Sequence, residues 1–190
     1  MKISVRFCNI CISFCIVFLS GCSMNLGPMV SNRLDREVMN NKLETKTIDL
    51  SDGSKCSDVK NVRLINGESR TDEYCINYSM GGCRFYVTPK DFAYEIISYL
   101  DKMLNASNIK VGSGSDIIVS IEDLKSQEGV WSFGSSCKIQ IQIPEINYTQ
   151  TYIGESGSGL GDLAAAYAIH LAVDNFFKDP VFQRYVKCQM

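Results

Sequence analysis

The chain has 190 residues with a formal net charge of −2, and 21% of its residues are charged. This length suits one domain with a short appendage, and the composition excludes disordered, collagen-like and multi-span membrane classes. The charge balance gives no indication of nucleic-acid binding, and a single histidine beside nine cysteines makes a histidine-based zinc site or a Cys–His nucleophile pair hard to build.

The first 21 residues have the organisation of a bacterial signal peptide. Lys2 and Arg6 form a positive segment, and residues 7–20 are almost entirely apolar. A helix over residues 7–20 would rise about 21 Å, less than the ~30 Å hydrocarbon core of a bilayer, which favours a cleaved signal over a membrane span. Removing residues 1–21 takes away two basic residues and no acidic one, so the formal charge changes from −2 to −4.

Residues 19–22 read Leu-Ser-Gly-Cys and resemble the lipobox of bacterial lipoproteins. In that family the cysteine carries a diacylglyceryl thioether and the chain is cut before it, so Cys22 is the predicted lipidation site. The alternative is an ordinary signal peptide with a chance cysteine. Acyl chains on Cys22 would hold the domain at a membrane. Because Ser23 follows, the pattern resembles sorting to the periplasmic face of the outer membrane, with the inner membrane as the alternative.

The segment after the lipobox is polar and shows no sustained apolar periodicity. We therefore expect residues 22–57 to be a lipidated tether without regular structure, with a short strand at 45–50 as the alternative. The single folded domain is expected to occupy residues 58–190.

The first half of the predicted domain contains strands and one amphipathic helix. Residues 58–65 are predicted as a strand, and residues 74–78 and 83–87 as two short strands or as an irregular excursion. Thr88 and Pro89 have the residue types of a helix start, as cap and first helical position. The apolar residues that follow at helical spacing are Phe92, Ile96, Tyr99, Leu100, Met103 and Leu104, and the helix is expected to end near residues 105–108.

The second half is predicted as a strand meander, a loop and a helix. Lys138, Gln140 and Gln142 alternate with apolar residues, which predicts a strand that is wet on one side. Asp162 is predicted to cap the last helix. The predicted bounds are 116–122, 137–143 and 147–153 for the strands, 127–129 and 144–145 for the turns, 154–161 for a glycine-rich loop and 163–177 for the helix, which Asp179 and Pro180 end. This β-α-β-β-β-α order predicts an α+β two-layer sandwich, an antiparallel meander with two helices on one face.

Three features invite a catalytic or ligand-binding interpretation, and each has a simpler one. Residues 157–162 could be a nucleotide loop, but without a Gly-Lys-Ser/Thr ending they are better explained as a flexible loop. His170 has no second histidine and is expected to be a packed or interface residue. Of the helix residues Asp91, Glu95 and Asp101, most are expected to face solvent. We therefore predict no enzymatic activity, no metal and no cofactor.

Aromatic residues and a sheet edge are the predicted means of partner binding. Trp131 and Phe133 stand at the start of a predicted strand, and Tyr148 and Tyr152 lie on the next one. They are expected to form a cross-strand cluster, with an exposed patch for a partner as the alternative. The strand at 147–153 is the predicted outermost strand, whose unpaired backbone could recruit a partner. The partner-binding candidates are Thr149, Thr151 and Trp131.

The cysteines that would remain beyond Cys22 are odd in number, so at least one is expected to be free or to pair between chains. Cys75 and Cys83 flank a Gly-Gly turn and are the predicted disulfide. Cys137 lies on the apolar face of its strand, where a buried thiol would be inert. The remaining two are Cys56 and Cys188.

The order of these motifs is similar to that of the YajG family of bacterial lipoproteins. The residues that carry the resemblance are Val62-Arg63-Leu64-Ile65-Asn66-Gly67, Arg70-Thr71-Asp72 and the Thr88-Pro89 helix start, followed by the meander and a final alanine-rich helix. The resemblance implies no established enzymatic activity, so it supplies no catalytic residues.

A looser similarity connects the chain to other small α+β envelope lipoproteins that bind partners, such as the lipopolysaccharide-assembly lipoprotein and transporter-associated auxiliary lipoproteins. The expected function is a membrane-anchored, non-catalytic binding or assembly module with an envelope protein or lipid as partner. The alternatives are a ligand- or lipid-binding auxiliary lipoprotein of an envelope transport system, and an enzyme of unfamiliar type.

Overall fold

The computed structural model describes residues 23–40, 43, 48, 61–79, 82–129 and 131–188. The predicted signal peptide, the lipidation site at Cys22, Cys56 and the predicted strand at 45–50, apart from Ile48, lie outside these residues. No helix in the described ranges has both the length and the apolar character needed to cross a bilayer.

The described chain forms four helices and seven strands. The helices are α1 (Leu26–Met39), α2 (Pro89–Ala106), α3 (Gly161–Phe177) and α4 (Pro180–Val186). The strands are β1 (Met24–Asn25), β2 (Val62–Asn66), β3 (Tyr74–Ser79), β4 (Gly82–Val87), β5 (Ser115–Glu128), β6 (Phe133–Ile143) and β7 (Tyr148–Ser158).

The predicted α+β sandwich is confirmed. Strands β5, β6 and β7 form an antiparallel meander, and β2 adds to it as a parallel neighbour of β5, giving the order β2-β5-β6-β7. The connection from β2 to β5 contains the β3–β4 hairpin and then helix α2, and this long crossover allows the two strands to run parallel. A second, three-stranded sheet has the order β1-β4-β3; it contains the predicted strands around Cys75 and Cys83 as an antiparallel hairpin.

The expectation of an irregular tether is wrong for residues 23–40. Helix α1 occupies most of this segment, and the side-chain oxygen of Asn25 accepts a hydrogen bond from the backbone N–H of Gly27 at its start. Leu26, Val30 and Leu34 are fully buried or nearly so. Their spacing of four residues makes a stripe one side chain wide, which contacts α2 and α3. The helix is thus held by tertiary packing rather than by a broad apolar face.

Helix α2 confirms the predicted amphipathic helix. All six apolar residues predicted on its face are buried, and the helix ends at Ala106. Thr88 stands at the N-cap position, but its side chain makes no capping hydrogen bond. Pro89 at the first helical position, which needs no N–H donor, is in place as predicted.

Two strands are longer than predicted. Strand β5 continues through the predicted turn to Glu128, because residues 125–128 pair with residues 133–136 of β6. Strand β7 continues through most of the predicted loop to Ser158, because residues 154–158 pair with residues 133–137. Glycine and serine are poor strand formers on their own, and here a partner strand decides the conformation.

The start of α3 also differs from the prediction. Leu160 occupies the N-cap position without a side-chain hydrogen bond, whereas Asp162 makes an ion pair of 2.5 Å with Arg33 of α1. Asp179 does cap a helix, since its carboxylate accepts from the backbone N–H groups of Val181 and Phe182 at the start of α4.

Helices α2 and α3 pack against one face of the meander and leave the other face open. The inward side chains of β6 are fully buried over most of the strand. The second sheet covers the end of the meander near Ser126, where Asn77 donates to the backbone carbonyl of Ser126 (3.3 Å). The buried inward side chains of the meander that are apolar are Ile117, Val119, Ile121, Leu124, Cys137, Ile139, Ile141, Ile143 and Tyr152.

Candidate binding surface: the open sheet face and its edge strand

The open face of the meander carries polar side chains that bond to one another. Gln140 donates to the carboxylate of Glu122 (3.0 Å), and the Thr151 hydroxyl donates to the same oxygen (2.8 Å). Gln142 donates to Gln140 (2.7 Å). One hydrogen-bonded ladder therefore crosses all three strands of the meander, and the prediction of a wet face at Lys138, Gln140 and Gln142 is confirmed.

A depression of about 600 Å³ lies on the same face, towards the end of the meander at which β7 finishes. Its lining includes Asp123 and Lys125 of β5, Lys138 of β6 and Glu155 of β7. Two acidic and two basic groups face it, so it presents alternating charges rather than a single-sign field. Such a surface suits a polar partner that can match both signs.

The outer edge of the meander is β7, as predicted. The side-chain amide of Asn175 in α3 donates to the backbone carbonyl of Ile153 (2.9 Å), which indicates that this carbonyl points away from β6. Backbone groups alternate in direction along a strand, and β7 pairs with β6 without a register shift. Thr149 and Thr151 therefore also direct their N–H and C=O groups to the outer edge.

The predicted cross-strand aromatic cluster is wrong, because its members lie at opposite ends of the meander. Phe133 is paired with Ser158, whereas Tyr148 is paired with Ile143. Trp131 is 91% exposed, which leaves the alternative of an exposed aromatic side chain. The strand register, which cannot be read from the aromatic spacing, decides this outcome.

Tyr148 and Tyr152 instead form a hydrogen-bonded group with Asp179. Their hydroxyls lie 2.5 Å apart and donate to one carboxylate oxygen of Asp179 at 2.7 and 3.0 Å. Burial raises the pKa of Tyr148 to about 12. For Asp179 burial alone would raise the pKa, but the hydrogen bonds from Tyr148, Val181 and the other donors outweigh it and hold the pKa below its ordinary value. The group fastens α4 to β7.

Two of the three features considered for catalysis, the glycine-rich loop and His170, have structural roles. Of the predicted nucleotide loop, Gly157 and Ser158 belong to β7, and Asp162 is paired with Arg33. His170 lies with its Nδ1 atom 2.7 Å from the Tyr99 hydroxyl, which joins α3 to α2. Within the described ranges, no three His, Cys, Asp or Glu side chains group as metal ligands. The prediction that the protein is not an enzyme stays a prediction.

Sequence reasoning missed a polar seam between the two sheets. Ser126 and Ser135 face each other across β5 and β6, and Asn77 of the second sheet lies against them. Among the described residues, these three side chains are buried and have an oxygen without a hydrogen-bond partner. The inward position of two serines was the available signal, but it needs the extended β5 to be recognised. A buried oxygen without a hydrogen-bond partner costs free energy of folding, so this seam stabilises the fold less than an apolar or fully bonded contact would.

The cysteines agree with the predicted pairing. Cys75 and Cys83 are joined across β3 and β4 with Cα atoms 5.7 Å apart. Cys137 is a free, buried thiol, and burial raises its pKa to about 12. Cys188 is also disulfide-bonded.

Comparison of the chain with protein-family models, curated proteins and solved structures found no match. The similarity to the YajG family therefore stays a prediction.

Proposed function

We propose that this protein is a lipid-anchored lipoprotein of the bacterial cell envelope, of YajG-like type, that recruits a protein partner and catalyses no reaction. The lipobox that ends at Cys22 supports the anchor and the envelope location. The outward backbone of β7 at Thr149 and Thr151 is the observation that supports recruitment.

The recruitment mechanism is addition of a partner strand to β7. An edge strand presents a row of unpaired donors and acceptors, and an extended segment of a partner satisfies them by continuing the sheet. Asn175 already occupies the carbonyl of Ile153, so the partner strand would engage the segment from Tyr148 to Tyr152. The side chains of Thr149 and Thr151, which lie on the open face of β7 itself, would then stand beside those of the partner strand and supply specificity.

The filled interior favours an assembly module over a carrier of a small molecule or lipid. The space between the meander and the helices is occupied by fully buried side chains such as Ile139, Ile169 and Phe176. An apolar depression of about 260 Å³ does lie between α1 and α2, beside Val38, Tyr99 and Met103. It falls below the roughly 300–1,000 Å³ of typical ligand sites.

The anchor is tested by fatty-acid labelling in cells. The wild type is expected to take up the probe at Cys22 and to be recovered with membranes, because the thioether forms on that thiol. Cys22→Ala is expected to lose both properties. Equal labelling and equal membrane recovery of the two chains would contradict the proposal.

Recruitment is tested by crosslinking the lipidated protein in membranes and recovering its partners. Thr149→Pro is expected to abolish co-purification of the envelope protein. Proline removes the outward backbone N–H group at this position and leaves the pairing with β6 intact. Thr149→Ala keeps the N–H group and is the matched control, expected to retain the partner. Retention of the same partner by the folded proline variant would refute recruitment through this edge.

A further inference from the structure

Exposed apolar side chains gather at one end of the domain, around the contact between Phe85 and Phe133. The two rings pack edge to face with centroids 6.1 Å apart, and they join the second sheet to the far end of the meander. The surrounding exposed side chains, with their exposed fractions, are Met24 (38%), Leu160 (49%), Tyr78 (75%) and Trp131 (91%). We call these four residues the apolar end.

The second sheet supplies two members of the apolar end. Met24 of β1 is paired with Phe85 of β4. Tyr78 of β3 is paired with Cys83, which lies two residues before Phe85 on the same strand. Two residues of a strand span about 7 Å, so both residues lie close to Phe85 in the second sheet.

The meander and α3 supply the other two members. Trp131 lies two residues before Phe133, at the start of β6. Leu160 precedes Gly161, whose position against the Phe85 ring is so close that a Cβ atom there would lie 2.6 Å from it. Four separate segments of the chain therefore place an exposed apolar side chain at the same end.

The same end receives the start of the mature chain. Cys22 is two residues before Met24, and consecutive Cα atoms are 3.80 Å apart, so the Cα atom of Cys22 lies at most about 7.6 Å from that of Met24. Helix α1 begins at Leu26, whose side chain is fully buried. No spacer separates the lipidation site from the folded domain on this side.

We infer that the apolar end is a bilayer-contacting face that seats the domain directly on the membrane; this inference rests on the proposed lipidation of Cys22. Acyl chains on Cys22 must enter the bilayer close to Met24, because only one residue separates the two. Trp and Tyr side chains are favoured at the lipid–water interface, where the ring is apolar and the polar group stays wet. Trp131 and Tyr78 match this preference, and Met24 and Leu160 add apolar area.

This seating fixes where the recruiting edge stands. Trp131 and Leu160 lie at the end of the meander where β7 finishes at Ser158. Thr149 is nine residues earlier on β7, about 30 Å away along the strand. The partner strand would therefore be captured at the end of the domain that points away from the membrane.

The test uses the only tryptophan of the chain. The lipidated protein is reconstituted into vesicles of phosphatidylethanolamine and phosphatidylglycerol, with or without bromine on the acyl chains, and Trp131 emission is recorded. Brominated chains quench indole on contact, so we expect weaker emission in brominated than in unbrominated vesicles. We also expect the emission in unbrominated vesicles to be shifted to the blue relative to the protein without vesicles. Unchanged emission in protein that floats with the vesicles would overturn the inference while leaving the anchor intact.

A matched variant moves the tryptophan to the other end. Trp131→Phe combined with Gln150→Trp places the indole at an exposed position of β7, about 27 Å along the strand from Ser158, and its emission is expected to be insensitive to bromine. Equal quenching of both proteins would show a domain without fixed seating and would overturn the inference. Protein that fails to float, with Cys22 unmodified by mass spectrometry, would overturn the proposed anchor and the inference together.

Discussion

A Cβ atom placed on Gly154 would overlap the backbone carbonyl oxygen of Ala168, so β7 and α3 meet backbone against backbone. The long row of alanines in α3 allows this close approach, since Ala164, Ala165 and Ala168 are fully buried. Helix α3 therefore supports one face of β7, the strand that we propose as the recruiting surface. The outer edge of β7 is a different side of the strand and is not covered by this contact.

This contact predicts that Gly154→Ala is strongly destabilising. Even one added methyl group must push the helix away from the sheet, which we expect to cost about 3 kcal/mol of unfolding free energy. Gly157→Ala is the control, because its Cβ would have ordinary contact at 3.6 Å. Urea unfolding of the mature protein in detergent would measure both. Equal midpoints for the two variants would contradict the described packing.

Glu68 predicts a loss of stability in acid. Hydrogen bonds from Arg70 lower the pKa of its carboxyl to about 2, and Arg70 in turn donates to the backbone carbonyl of Ile121. Since the folded pKa is below the unfolded value, the stabilisation is present above about pH 4.5 and is lost as the pH falls towards 2. Arg70 is half exposed, so solvent screening limits the effect to about 1 kcal/mol.

The corresponding experiment measures unfolding free energy from pH 6 down to pH 2. Glu68→Gln is expected to be less stable at neutral pH and to lose part of the acid-dependent slope. Asp72→Asn changes an exposed carboxyl in the same loop and should keep the slope. The same slope in wild type and Glu68→Gln would show that this ion pair makes no contribution.

Cys137 predicts a thiol that is silent in the folded protein. Its side chain is fully buried, and its raised pKa disfavours the reactive thiolate. We expect no alkylation by iodoacetamide at pH 8 in the native protein and full alkylation in urea, measured by mass spectrometry. Ser136→Cys puts a thiol at the adjacent, half-buried position of the open face and should react without urea. Rapid native labelling of Cys137 would contradict its described burial.

The disulfide partner of Cys188 provides a test of the proposed lipidation of Cys22. Cys188 is disulfide-bonded, and the described residues offer it no partner cysteine, because Cys75 and Cys83 are joined and Cys137 is free. If residues 1–21 are removed and the Cys22 thiol is in a thioether, Cys56 is the cysteine that remains. Non-reducing peptide mapping is expected to recover a linked Cys56–Cys188 peptide. A Cys22–Cys188 link would refute lipidation of Cys22.

The elements that could be predicted from the sequence are those whose residues carry a complete local pattern. In β6, strict alternation around Lys138 and Gln140 sets the buried and wet faces whatever the neighbouring strands are. In α2, the apolar spacing from Phe92 to Leu104 covers a broad face, and Pro89 marks its start. Cys75 and Cys83 flank a short turn, so their pairing needed no distant information. In each case the signal spans only neighbouring residues.

Tertiary structure alone decided the features in which short or ambiguous segments meet distant partners. Leu26, Val30 and Leu34 form too narrow a stripe to predict α1 until α2 and α3 are present to bury it. The glycine-rich end of β7 is a strand because β6 pairs with it. The close approach of the α3 backbone to β7 requires a glycine at position 154. Met24, Tyr78, Trp131 and Leu160 are far apart in the chain, and only strand register and the Phe85–Phe133 contact bring them to one end. Register and long-range packing depend on residues that no local window contains, which is why the sequence by itself indicated an anchored α+β domain but not how that domain sits.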